Sequence, residues 1–278
     1  MNKVLIYYGF IPDWTHVFDA NSLMSSLGQT IKKILIITDI DTLKKYLQSD
    51  GLNYKNYIFP IKIENIVELN NAGINSLFEI KTPDLKKFAD KKLFVEYVCE
   101  NKLQKFIPEC YFGPRNTNDF VIIKPKISYY SIGIYTKLLK DVKQEEFSNN
   151  IVQKYIYDQK EYAGYFVAHN GKITHGFAYL SIYGKDPFIK NKGGKWDGKP
   201  QTRVDLDKNV LSVLEKFLIP CSYTGVCSID FKMSDTYLYV FEINPRLGGS
   251  LNDKNNKEDL TDVILSLMKI YDERNVFN

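Results

Sequence analysis

Gly225-Val-Cys-Ser-Ile-Asp-Phe-Lys-Met-Ser-Asp-Thr-Tyr-Leu-Tyr-Val-Phe-Glu-Ile-Asn-Pro-Arg-Leu-Gly-Gly-Ser250 holds two apolar runs joined by a short polar turn. Asp230 lies in the first run, and Glu242 and Asn244 lie in the second. Side chains alternate faces along a strand, so Glu242 and Asn244 share one face. If the two runs pair as a hairpin, Asp230 joins them and three oxygen donors meet at one point. Such hard donors suit Mg²⁺ (or Mn²⁺), and Mg²⁺ commonly keeps substrate phosphates in its remaining positions, so the spacing predicts a metal-bound nucleotide. Arg246 continues the alternation as a fixed cation aimed at an anion. A plain amphipathic hairpin would also alternate, but Pro245 and Gly248-Gly249 stand where an ordinary strand would be weakened.

The rest of the chain sets limits on the class. A length of 278 residues allows one large or two modest domains, and 44% hydrophobic with 25% charged residues is globular composition. No apolar run reaches the roughly 18 residues of a bilayer span, and Met1-Asn-Lys-Val-Leu-Ile-Tyr-Tyr-Gly9 is too short in its apolar part for a signal peptide. A soluble, cytoplasmic protein without a membrane partner is expected. Cys99, Cys110, Cys221 and Cys227 form no Cys-x-x-Cys pair, and His16, His169 and His175 lack helical ligand spacing, which argues against disulfides and zinc. A net charge of +4, with bases scattered among acids, gives no reason to expect a nucleic-acid partner. The densest basic stretch, 185–199, reads either as a solvated loop or as a flap that meets phosphate or an anionic substrate. Within it, Gly193-Gly-Lys-Trp-Asp-Gly198-Lys199 has P-loop spacing, but Pro200 follows where a Ser or Thr must meet the metal, so the match is accidental.

Lys3-Val-Leu-Ile-Tyr-Tyr8 and Lys33-Ile-Leu-Ile-Ile-Thr38 are continuous apolar runs, as expected for strands covered on both faces, with helix-compatible sequence between them. Tyr57-Ile-Phe-Pro-Ile-Lys62 is a third strand that Pro60 places at an edge or an end. A small α/β layer is therefore expected first. It has no Gly-x-Gly-x-x-Gly after its first strand, so a dinucleotide fold is not indicated. Thr82, as N-cap, and Pro83 open a helix, and a helical stretch follows over 90–101. Strands are expected over 119–125 and 151–156, a hairpin over 161–180 across Asn170-Gly171, a loop over 184–202, a helix over 207–218 and a last helix over 258–270.

The order of these features, with the 225–250 block, resembles the ATP-grasp superfamily, whose signature is an acid in one strand and Glu-x-Asn-x-Arg in the next. The branch it resembles holds carbamoyl-phosphate synthetase, biotin carboxylase and D-alanine ligase. The resemblance implies an α/β and α+β chain: an ATP-grasp fold with a short N-terminal pre-ATP-grasp α/β domain over 1–85, a small lid subdomain over 86–152 and a metal and nucleotide subdomain over 153–278. It implies ATP with Mg²⁺ (or Mn²⁺), the metal on Asp230, Glu242 and Asn244. Lys91, in an Asp-Lys that opens a helix, and Lys124, closing Val-Ile-Ile-Lys-Pro, resemble the two phosphate lysines. Gln153-Lys154-Tyr155-Ile156 resembles the adenine hinge, with Gln153 in place of the usual acid, and Glu161 resembles the acid beside the ribose. Arg246, Lys124 and Arg203 are the candidates for contact with reacting groups. The usual glycine-rich phosphate loop is replaced by Lys126-Ile-Ser-Tyr-Tyr-Ser-Ile-Gly133, with one glycine and with Ser128 and Ser131 as hydroxyl donors. The activity implied is a carboxylate-amine ligase working through an acyl-phosphate, with a small carboxylate and an amine as substrates. A kinase acting on a hydroxyl and a nucleotide-binding module with weakened turnover are the alternatives. Oligomeric state is not legible, and a homodimer is left open.

Overall fold

The computed structural model describes residues 2–12, 14, 27, 31–127, 131–184, 187–190 and 200–274. Ser128, His16 and the P-loop-like 193–199 stretch lie outside the described residues. Among the described residues three sheets follow one another. The first is parallel, in the order β2 (Lys33–Ile37), β1 (Asn2–Tyr8), β3 (Tyr54–Pro60), with helices α1 (Ile40–Gln48) and α2 (Ile63–Asn71) after its second and third strands. β1 is covered on both faces, since Leu5 and Tyr7 enter the main core while Val4, Ile6 and Tyr8 enter a second cluster with Leu43 and Leu69. β2 departs from expectation: it is an edge strand, and Ile36 is 43% exposed. β3 is the other edge, with Pro60 as its last residue.

Helices α3 (Thr82–Ala89) and α4 (Lys91–Glu100) meet at Asp90. Thr82 is already helical and Lys81 is the N-cap, without a side-chain bond, so the expected Thr82 cap is displaced by one residue. Asp90 is a true cap, since its carboxylate accepts from the Lys92 and Leu93 amides at 2.7 and 3.1 Å. That cap fixes Lys91 in the first helical turn, and the Lys91 amide donates to the Lys126 carbonyl at 2.9 Å.

The second sheet is antiparallel, in the order β4 (Cys110–Tyr111), β7 (Asn150–Lys154), β5 (Phe120–Pro125), β6 (Tyr135–Leu138), with a small core on Val121, Ile123, Leu139 and Val152. A short helix, α5 (Gln144–Asn149), leads into β7. The break expected after residue 152 falls inside β7, so Gln153 and Lys154 belong to the small sheet.

The third sheet has the antiparallel order β10 (Gln201–Val204), β9 (Lys172–Ile182), β8 (Lys160–His169), β11 (Gly225–Met233), β12 (Leu238–Asn244). The β8–β9 turn places Asn170 at φ 51° and Gly171 at φ 79°, both left-handed, as a tight Asn-Gly hairpin requires. β10 begins inside the stretch expected as loop; its pairing with β9 supplies the order that its composition hides. Helix α6 (Lys208–Leu218), capped by Asp207, and helix α7 (Lys257–Arg274) pack on this sheet and bury Leu214, Phe217, Val263, Ile264 and Leu267. α7 also stitches the ends of the chain together. Asp272 takes the ammonium groups of Lys3 and Lys55 at 3.3 and 2.7 Å and the Tyr57 hydroxyl at 2.7 Å.

Candidate functional site

The two runs quoted first pair as an antiparallel hairpin with Asp230 directly opposite Glu242. The register slips between Asp230 and Phe231, where β12 carries an extra residue. A bulge of this kind re-aims side chains, and the neighbours Phe241 and Glu242 both line one cavity. Asn244 lies beside Glu242, its amide donating to Glu242 Oε1 at 3.1 Å, as the alternation requires. The alternation does not reach Arg246. β12 ends at Asn244, the chain bends at Pro245, and the Arg246 guanidinium donates to the Leu247 carbonyl at 2.8 Å outside the cavity lining.

Three lysines converge on these acids. Lys91 Nζ lies 3.6 Å from Glu242 Oε2. Lys190 Nζ lies 3.4 Å from Asp230 Oδ1 and 3.6 Å from Glu161 Oε1. Lys124, at the end of β5, is 7% exposed, with its ammonium 5.3 Å from the centroid of the Phe241 ring. Lys91, Lys124, Lys190, Glu161, Asp230 and Glu242 all line the cavity between the small sheet and the third sheet. The Lys91 and Lys190 ion pairs lie along its lining, and the space left is about 120 Å³. A cleft of about 740 Å³, lined by Asn70, Ser76, Asn170 and Arg274, is larger but gathers none of these groups. Among the described residues no three His, Cys, Asp or Glu side chains cluster at metal spacing. The oxygen set is instead an acid pair plus an amide, with lysines on the acids.

The charges respond to this crowding. Burial pushes Asp230 up to about 6, against the pull of Lys190 and with added push from Glu242 and Glu161. Burial acts on Glu242 in the same sense, but Lys91, the Asn244 amide, Lys124 and Arg246 outweigh it and hold its carboxyl below the usual range. Of this pair, Asp230 therefore takes a proton first. Burial lowers Lys124 to about 8, with Glu242 opposing and Lys91 adding to the shift. Burial also disfavours the Lys190 charge, yet Asp230 and Glu161 overcome it and keep that ammonium well above the ordinary lysine range.

The hinge candidates divide. Lys154, Tyr155 and Ile156 line the cavity, and the Lys154 and Tyr155 amides are tied to the Glu109 and Phe120 carbonyls at 2.8 and 2.9 Å. Gln153 is 3% exposed between β4 and β5, its amide donating to Cys110 Sγ at 3.5 Å, and is not part of the lining. Arg203 stands apart on β10, where its guanidinium is held by Asp259 at 2.7 Å and Asp205 at 2.8 Å over the Phe177 ring. Its charge is spent on anchoring β10 to the start of α7. Ser131 lines the cavity at φ 57° and Gly133 follows at φ 75°, so the glycine-poor segment still makes a left-handed turn there. Gly248 has a packing reason, since a Cβ there would meet the Tyr165 ring at 2.8 Å.

The sequence pattern does not single out Lys190, Lys232, Phe188 or Phe241. Lys190 lies inside the basic stretch read as a flap or a loop, and nothing local separates it from its neighbours. Lys232 does carry a signal: it follows Asp230 by two residues in a buried strand, on the same face.

Residues 89–250, more than half of the chain, match the ATP-grasp domain family. A search of curated proteins finds no match. Among solved structures the chain is similar to the D-alanine–D-alanine ligase of Bacillus anthracis, at 13% identity and TM-score 0.59 over 99% of this chain and 100% of that one. It is similar to D-alanyl-alanine synthetase A of Vibrio cholerae, at 11% identity and TM-score 0.62 over 96% and 98%. It is also similar to an L-amino acid ligase of Bacillus licheniformis, at 12% identity and TM-score 0.57 over 90% and 68%. At such identities these likenesses speak for the fold alone, while the span of the domain match fixes the assignment: with its acid hairpin facing a lysine-lined sheet, this chain belongs to the ATP-grasp family.

Proposed function

We propose that this protein is an ATP-dependent ligase that activates a small carboxylate, an amino acid or a sugar acid, and joins it to an amine. The observation that carries the reading is the convergence of Lys91, Lys124 and Lys190 on the paired Asp230 and Glu242, beside the 154–156 segment. Asp230, Glu242 and Asn244 are the residues that would hold Mg²⁺ or Mn²⁺, which supplies charge neutralisation for the triphosphate when bound. Hard oxygen donors from two paired strands fit such an ion, provided the lysines trade carboxylate for phosphate partners. Lys91 and Lys190, already on the acids, are placed for that trade. Lys124 faces the same cavity as a cation with nowhere else to go.

In the first half-reaction a substrate carboxylate oxygen attacks the γ-phosphorus and the bond to ADP breaks. In the second, an amine attacks the acyl carbon, phosphate leaves and the amine loses a proton. Positioning and charge stabilisation suffice for both, and no protein nucleophile is called for. Neighbours named as ligases of D-alanine and of L-amino acids support amino acids as the first substrates to try. The test is phosphate and ADP release over pairs of amino acids and small acids, repeated with hydroxylamine. A hydroxamate is expected, since hydroxylamine traps an acyl-phosphate. ADP release without hydroxamate would shift the reading to a hydroxyl-phosphorylating kinase. One observation favours a second reading: the 126–133 segment carries a single glycine, so a binding module with weak turnover follows if MgATP binds without ADP release.

The Asp230 carboxyl sets a pH dependence. Below about pH 6 it holds a proton that a metal must displace, so affinity for MgADP is expected to fall by up to about tenfold per pH unit there and to be flat above neutrality. The protein without nucleotide should move the opposite way. Its folded state keeps a proton that an ordinary aspartate, at 3.8, releases, so this group adds stability as pH falls through the window between those values. Calorimetric titrations across that window, beside melting curves, check both signs. An affinity that stays flat down to pH 5 would reject Asp230 as a ligand.

A further inference from the structure

Lys232 is a buried cation that the chemistry above does not use. It shares the Asp230 face of β11, lines the same cavity and is 3% exposed. Its ammonium donates to the Ile156 carbonyl at 3.0 Å and to the Asp158 carbonyl at 2.8 Å. It also lies 4.5 Å from the centroid of the Phe188 ring and 5.4 Å from that of Tyr155. The Tyr155 hydroxyl closes this knot, accepting from the Phe188 amide at 2.8 Å and donating to the Phe188 carbonyl at 3.2 Å.

The position of the knot matters more than its strength. β7 ends at Lys154; the Tyr155 amide still bonds the Phe120 carbonyl of β5, and beyond it the Ile156 and Asp158 carbonyls take the Lys232 ammonium. Lys232 reaches them from the strand that carries Asp230, with charge-assisted bonds to two carbonyls. One side chain thus ties β11 to the segment that links the small sheet to the third sheet. Through Phe188 it also bears on the segment that carries Lys190 two residues later.

We propose that Lys232 is a positioning residue that clamps the 155–158 segment to β11 and sets how tightly a nucleobase is gripped there. The proposal rests on the nucleotide reading given above. Its test is Lys232→Met, close in length but without donors, in the full chain, read by hydrogen exchange and by calorimetric titration with MgADP. Losing bonds from a charged donor is expected to speed exchange in 155–159 and to raise the MgADP Kd, each by about tenfold or more. β11 amides should exchange as in wild type, and Lys232→Arg should stay within about threefold of wild type in both measurements.

Wild-type affinity in Lys232→Met would overturn the clamp. So would faster exchange spread over β8, β11 and α7, the mark of a folding role. If Lys232→Met does not fold, Tyr155→Phe, which removes the hydroxyl bonds to Phe188, must still weaken MgADP, and wild-type binding there sinks the idea. A wild-type protein that binds no MgADP would overturn the nucleotide reading itself, an outcome distinct from a variant that binds as wild type does.

Discussion

Glu242→Gln is expected to lower ATP-dependent product formation by about a thousandfold, the upper end for removing one preorganised charge from a reacting centre, while the protein stays folded. Glu242 is the acid on which two elements depend. It faces Lys91 at 3.6 Å, accepts from Asn244 at 3.1 Å and stands opposite Asp230 in the hairpin. Glutamine keeps the shape and one oxygen but removes the charge, so a divalent ion loses half of its anionic support. Lys91 at the same time loses the carboxylate that it faces. The side chain of Glu242 is 35% exposed, so water can compensate much of that loss and the cost in stability should be small. ADP release with the best substrate pair, measured beside a melting curve, decides the matter. Undiminished turnover in a folded variant would remove Glu242 from the site, and the metal assignment with it.

Much of this arrangement is legible in the chain because it is local. The acid hairpin can be read from period-two alternation, the Asn170-Gly171 turn from its dipeptide, and Lys124 from a lysine that ends a buried run. What cannot be read depends on contacts distant in sequence. The bulge that lets Phe241 and Glu242 share one cavity is a property of how β12 meets β11, not of either strand alone. Arg246 follows the right spacing but falls after Pro245, where the strand has already ended. Arg203 is drawn away by Asp259, which lies 56 residues further along the chain. Lys190 is marked out by Glu161 and Asp230, which come from two different strands. Nothing in 258–274 announces that Asp272 will dock on Lys3, Lys55 and Tyr57. The sequence therefore offers the acids together with Lys91 and Lys124, and tertiary contact supplies Lys190, the third cation that meets them.

Lys124→Met should separate function from stability most sharply, because its two expected effects have opposite signs. Burial lowers the ammonium of Lys124 from 10.5 to about 8, so the folded protein binds this proton less well than the unfolded chain does. Between those values the unfolded state holds more protons, and stability from this group rises with pH. At neutrality the charge opposes folding by roughly 3 kcal/mol, since each tenfold loss of proton affinity on folding costs about 1.4 kcal/mol. Methionine fills similar volume without that charge, so the variant without nucleotide is expected to be more stable by about 1–3 kcal/mol, as when buried charges are replaced by apolar groups. Turnover should fall by about a hundredfold or more, since a preorganised cation facing the phosphates is lost. A third measurement ties the two together. In wild type, a triphosphate adds to the counter-charge that Glu242 gives Lys124, so MgATP should raise the melting temperature more than it does in Lys124→Met. A variant that melts lower than wild type, or that keeps the full nucleotide-induced rise, would show that Lys124 is a structural lysine and that the phosphates lie elsewhere.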